Sequence, residues 1–75
     1  MTLQHLGERI KQARERRGLT QQQLADSAGL SRGYLARLEI GRHDPSVSTV
    51  ISLAKALKVP VASLFRSPKG ERRWR

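Results

Sequence analysis

The sequence contains no cysteine in its 75 residues. That excludes a disulfide scaffold, a thiolate metal site and a cysteine nucleophile, and it suits a reducing compartment. No apolar run approaches the ~18 residues that a membrane-spanning helix needs. The opening residues, Met1-Thr2-Leu3-Gln4-His5-Leu6, lack the basic stretch and apolar segment of a secretory leader. The expectation is a cytoplasmic protein. The marks of an enzyme are missing too: there is no phosphate loop, no metal-ligand cluster and no Ser/His/Asp grouping, and a chain this short leaves little room for a pocket. His5 and His43 stand far apart with no third ligand nearby. Both read as surface residues, and neither a metal nor any other cofactor is expected.

Negative charge is scarce. Six acidic residues face fifteen basic ones, for a formal net charge of +9. Such an excess implies a polyanion as partner, nucleic acid before an anionic membrane. Arg72, Arg73 and Arg75 carry some of it, but the body of the chain is basic as well. A membrane-surface helix would line one face with Trp, Phe or Leu. The first helical stretch offers only Leu3, Leu6 and Ile10, and glycines punctuate the rest of the chain, so a globular fold without a membrane partner is the better reading.

What is present reads as short helices. Leu3, Leu6, Ile10 and Ala13 recur at helical spacing over about residues 3–17, up to Gly18. Thr20 with Gln23 forms a capping box for a second helix, which buries Leu24, Ala25 and Ala28 and stops at Gly29. Ser31 caps a third helix through about Ile40, with Leu35 and Leu38 inward. Residues 41–45 form a loop, and Ser46 or Ser48 caps a fourth helix with an apolar stripe of Val47, Val50, Ile51, Ala54 and Leu57. Pro60 suits the start of a fifth, carrying Val61, Leu64 and Phe65. The expected architecture is all-α and compact: one five-helix domain over residues 1–66, then a basic, disordered tail over 67–75 in which Trp74 could stack on a base or a partner.

Two helices joined by the tight turn Gly29-Leu30-Ser31, over about residues 21–40, make a helix-turn-helix. Ala25, Gly29, Leu35 and Leu38 at this spacing would arise by accident in roughly 2% of chains this long. The turn forces a steep crossing, so the third helix projects its outer face. Arg32 and Arg37 lie on that face, and an arginine can bond guanine O6 and N7 with two hydrogen bonds. Either could instead be a solvated charge touching phosphate only. Gly33 lets the backbone approach a partner or is merely tolerated, Ser31 could touch a base or phosphate beside its capping role, and Ala36 could meet a thymine methyl. Gln21, Gln22, Tyr34 and Arg42 are the phosphate candidates; Tyr34 could equally be a packing residue. Val59, Val61, Leu64 and Phe65 exceed what a short last helix needs and are candidates for a dimer surface, although Leu64 and Phe65 could also close the core.

The run Leu19-Thr20-Gln21-Gln22-Gln23-Leu24-Ala25, followed by Gly29-Leu30-Ser31-Arg32, Leu38-Glu39-Ile40-Gly41-Arg42 and Pro45-Ser46, resembles the lambda-repressor and Cro-type helix-turn-helix family, the xenobiotic-response-element group. The resemblance spans about residues 5–65. It implies a lambda-repressor-like DNA-binding domain, a homodimer on a palindromic double-stranded operator with residues 31–40 in the major groove, and a regulator of transcription, in the first place a repressor, found with the nucleoid. It also implies a phosphate contact at Gln21 and an ion pair between Arg14 and Glu39. Restriction-modification controllers and antitoxins share this pattern and act partly through a protein partner. The chain departs from the pattern at Lys58, where Gly, Asn or Asp is usual and strain at the helix end is expected, and at Pro60, which replaces a polar cap.

Overall fold

The computed structural model describes residues 3–65; the expected tail, with Trp74, lies outside them. Four α-helices follow one another: α1 Leu3–Arg16, α2 Gln21–Ala28, α3 Arg32–Glu39 and α4 Val47–Leu57, with a 3-10 helix at Val61–Phe65. The fifth element is thus not the α-helix expected after Pro60. Five residues make little more than one turn of α-helix, and the Ser63 N–H donates to the Pro60 carbonyl three residues back at 3.0 Å, the spacing of a 3-10 turn.

Helix ends are set by local chemistry. Thr20 accepts from the Gln23 N–H at 3.0 Å while the Thr20 N–H donates to Gln23 Oε1 at 2.9 Å, a reciprocal capping box at the start of α2. Ser31 Oγ accepts from the Tyr34 N–H at 3.1 Å, and Ser46, not Ser48, caps α4 by accepting from the Thr49 N–H at 3.2 Å. The four C-termini share one device. The N–H groups of Leu19, Leu30, Arg42 and Val59 reach back five residues to Arg14, Ala25, Arg37 and Ala54, at 2.8–3.1 Å. This is the Schellman reversal, which places the residue just past the helix in the left-handed region.

Glycine supplies that residue after α1, α2 and α3, but after α4 it is Lys58, with φ 60° and ψ 42°. A side chain in this region is disfavoured by about 1–2 kcal/mol. Lys58→Gly is therefore expected to raise stability by about 1 kcal/mol, the gain reduced by the freedom glycine adds to the unfolded chain. A thermal or urea melt checks it; an unchanged midpoint would show the lysine unstrained.

One core joins all five elements: Leu6 and Ile10 from α1, Leu24 and Ala25 from α2, Leu35 and Leu38 from α3, Val50, Leu53, Ala54 and Leu57 from α4, and Leu64 from the 3-10 helix. The α4 stripe is rotated from the one expected. Val47 (77% exposed) and Ile51 (40%) face outward, and Leu53 is fully buried in their place. Positions 50, 53, 54 and 57 follow the i, i+3, i+4, i+7 rule of a single face, which Val47 and Ile51 leave. Leu64 is buried, so it cannot serve the dimer surface for which it was a candidate, whereas Phe65, also considered for the core, is 40% exposed. Arg9 Nε and Nη2 donate to the Ser63 carbonyl at 3.3 and 3.2 Å and pin the 3-10 helix to α1.

Gly7, unnoticed in the sequence pattern, lies where α1 packs against the end of α3. It is buried, and a Cβ at this position would run into the Leu38 carbonyl oxygen and stand 2.9 Å from that of Glu39. The backbone of α1 thus rests directly on the end of α3.

Candidate nucleic-acid interface

The turn between α2 and α3 fixes the direction of α3. Gly29 takes φ 73° and its N–H donates to the last turn of α2, Leu30 closes the reversal, and Ser31 starts α3 in extended backbone at φ −78°, ψ 151°. Three residues thus separate the helices, and Leu24, Ala25, Leu35 and Leu38 hold them together in the core. The opposite side of α3 is left facing outward.

The sequence-derived candidates divide between that outer side and the core edge. Ser31, Arg32 and Gly33 are exposed at the N-terminal end of α3, Arg37 is exposed one turn further on, and Ala36 is half-buried between the two faces. The Ser31 hydroxyl is used as the cap. Gly33 is not strained, and a Cβ there would make only an ordinary contact, 3.6 Å from Arg37 Nη1. Tyr34 is half-buried against the core edge. Arg42 is exposed in the reversal after α3. Three arginines therefore present their charge along one helix and the loop that leaves it.

The glutamines at the start of α2 are engaged within the domain. Gln21 Nε2 donates to Glu39 Oε1 at 2.9 Å, and Gln22 Nε2 donates to Asp26 Oδ1 at 2.8 Å, four residues along the same helix. The Gln21 amide is thereby oriented by the end of α3. Its first partner need not be given up for phosphate contact, because the second Nε2 hydrogen and the α2 N-terminal N–H groups can still donate.

Glu39 is the single acidic residue of α3, and its charge does not face outward. Arg14 grips it with two parallel hydrogen bonds, Nε to Oε2 at 2.8 Å and Nη2 to Oε1 at 3.2 Å, and Arg14 Nη1 donates to the Leu19 carbonyl at 2.9 Å. The Glu39 side chain is 2% exposed and that of Arg14 11%. Burial is tolerated because Arg14, Gln21 and Glu39 share their donors and acceptors. The arrangement ties α1, the start of α2 and the end of α3 together, and removes the helix's one negative charge from the side where a polyanion would lie.

His43 was read from the sequence as a plain surface residue. It is exposed, but it is engaged: Arg37 Nε donates to His43 Nε2 at 2.8 Å, and the Tyr34 and His43 rings lie 5.5 Å apart, tilted by 44°. No helical periodicity could have paired residues 37 and 43, because the chain reverses between them. Among the described residues no group of three or more His, Cys, Asp or Glu gathers closely enough to hold a metal ion, and no helix is long and apolar enough to cross a membrane.

A helix-turn-helix family model, HTH_3, matches residues 10–64. The immunity repressor protein of Bacillus phage phi105 is 49% identical over 59 residues, which is 79% of this chain and 41% of that protein. The chain thus spans less than half the length of that relative. Among solved structures, the restriction-modification controller protein C.AhdI from Aeromonas hydrophila superposes with a TM-score of 0.82 at 35% identity, over 84% of this chain and 96% of that one. SinR, a master regulator for biofilm formation solved in complex with DNA, superposes with a TM-score of 0.75 at 33% identity, over 79% of this chain and 95% of that one.

Proposed function

This chain belongs to the helix-turn-helix family, HTH_3, and from that premise we propose that it is a sequence-specific double-stranded DNA-binding regulator of transcription, acting as a repressor. The observation that carries the proposal is the outer face of α3, where Arg32 and Arg37 project from a rigid helix whose one carboxylate is neutralised inside the domain. The helix enters the major groove with Arg32, Gly33, Ala36 and Arg37 toward base edges; Gln21, Gln22, Tyr34 and Arg42 face phosphates. Repression is steric: two such helices, about 34 Å apart on one side of the duplex, occupy an operator and exclude polymerase. The protein acts in the cytoplasm, on the nucleoid.

Selection from random duplex DNA at about 150 mM salt tests this, since at that ionic strength non-specific charge attraction is screened. An enriched palindrome with half-sites about one helical turn apart supports a sequence-reading dimer. Absence of enrichment, with binding that vanishes as salt rises, sinks the proposal.

The dimer pairs through the 3-10 helix, where Val61 (38%) and Phe65 (40%) are exposed beside half-buried Val59. Phe65→Glu is expected to give a folded monomer by sedimentation, with a melting midpoint that no longer depends on protein concentration, because the residue lies outside the core. A variant that still sediments as a dimer moves the interface elsewhere.

Gly33 separates two roles by one substitution. Gly33→Ala should raise stability by about 1 kcal/mol, since the site is helical and unobstructed. If the α3 backbone approaches the duplex at this point, the same variant binds the selected duplex more weakly. Unchanged affinity would make Gly33 a tolerated residue.

A second reading, a restriction-modification controller, is supported by the near end-to-end coverage of C.AhdI. It shares the DNA-binding mechanism and differs in the genes beside the operator: the selected palindrome would then lie upstream of an endonuclease gene.

A further inference from the structure

We propose that His43 is a positioning residue for base readout: it holds the Arg37 guanidinium by Nε so that the two terminal nitrogens are presented together to a guanine edge. The inference rests on the DNA-binding reading above. Arginine is a long side chain with many rotamers, and an exposed one ordinarily samples them freely. Arg37, though exposed, is held instead. Its Nε is bonded to His43 Nε2 at 2.8 Å, and its Nη1 lies beside Gly33, where a Cβ would stand 3.6 Å away.

His43 reaches this place because of how α3 ends. The Gly41 N–H donates to the Leu38 carbonyl and the Arg42 N–H to the Arg37 carbonyl, at 3.1 and 2.8 Å, so the chain folds back beside the turn that carries Arg37. Tyr34, three residues before Arg37 on the same face, lies beside the imidazole, with 5.5 Å between ring centres. Tyr34 is itself packed on the core, so this tilted ring contact links the loop to the rest of the domain.

The chemistry is selective about what remains available. An imidazole that accepts from Nε is neutral, with its proton on Nδ1. A guanidinium can meet a planar acceptor pair side-on, through Nε and one terminal nitrogen, or end-on, through both terminal nitrogens. With Nε occupied only the end-on fork is left. That fork matches O6 and N7 of one guanine. Preorganising it removes rotamer freedom before binding rather than during it.

The test uses the duplex selected from random DNA and a panel in which each base pair of one half-site is changed in turn. Arg37→Ala identifies the base pair that Arg37 reads. His43→Ala is expected to reduce discrimination at that same base pair about three- to tenfold, part of the full effect of a bidentate contact. The salt slope should stay unchanged, because no phosphate contact is lost. His43→Gln, whose amide oxygen also accepts, should restore discrimination. The double variant should discriminate no worse than Arg37→Ala alone. A panel unaltered by His43→Ala overturns the inference while leaving the DNA-binding reading intact. So does a uniform loss on every duplex with the salt slope reduced by about one, which would make His43 a phosphate contact. If no duplex is enriched in the first place, the DNA-binding reading itself fails, and this role fails with it.

Discussion

Glu39→Ala is expected to destabilise the domain by about 3–5 kcal/mol, the usual loss when one member of a buried ion pair is removed. A chain of 75 residues has roughly 4–11 kcal/mol in all, so the substitution removes about a quarter of that stability or more. The size of the effect comes from what is left behind. Arg14 would keep its bond to the Leu19 carbonyl but lose both bonds to the carboxylate, and Gln21 would lose its acceptor as well. Three donors would be stranded where water reaches poorly. The charge pair is not itself the source of stability, and a second variant separates the two ideas. Arg14→Met with Glu39→Leu replaces the pair with apolar groups of similar size and should recover much of the loss. Urea melts of the single and double variants decide it. A Glu39→Ala midpoint within about 1 kcal/mol of the parent would place the pair among ordinary surface ion pairs.

Gly7→Ala should cost about 2–3 kcal/mol, although alanine is the better helix former by about 1 kcal/mol in an unobstructed position. The new Cβ would overlap the Leu38 carbonyl oxygen and crowd that of Glu39. Both are backbone atoms at the end of a packed helix and cannot rotate aside, so α1 and α3 must move apart and the core beneath them opens. Gly33→Ala is the internal control, because the same chemical change at an open position should act in the opposite direction. Calorimetric melts of the two variants give the comparison; stabilisation by both would show that α1 slides on α3 without loss.

The sequence made some of this visible and hid the rest for identifiable reasons. The starts of α2, α3 and α4 were legible because a hydroxyl cap is a local signal, carried by one or two residues. The helix ends before Gly18, Gly29 and Gly41 were legible for the same reason. The inner face of α4 was not. Val47, Val50, Ile51, Leu53, Ala54 and Leu57 spread apolar side chains over more than one face, and only the packing of α2 against α4 selects among them. The Arg14–Glu39 pair came from resemblance alone, since nothing in the spacing of residues 14 and 39 announces a contact. Gly7 and His43 had no signal at all. A glycine within a helical pattern looks like a small penalty until a second helix lies against it, and a histidine in a loop looks solvated until the loop turns back. In each case the missing information was tertiary.

The two central helices are only eight residues long each. Alone in water, helices shorter than about 12–15 residues are marginal, so α3 has its shape only while the rest of the domain holds it. On the proposed DNA-binding reading, operator occupancy and folding are then linked equilibria. A duplex present at about 100 times its dissociation constant would add about 2.7 kcal/mol to the stability of the bound protein. Warming or mutation that melts the domain would in turn release the DNA in the same cooperative step, so a temperature series of operator binding should break where the unfolding curve does.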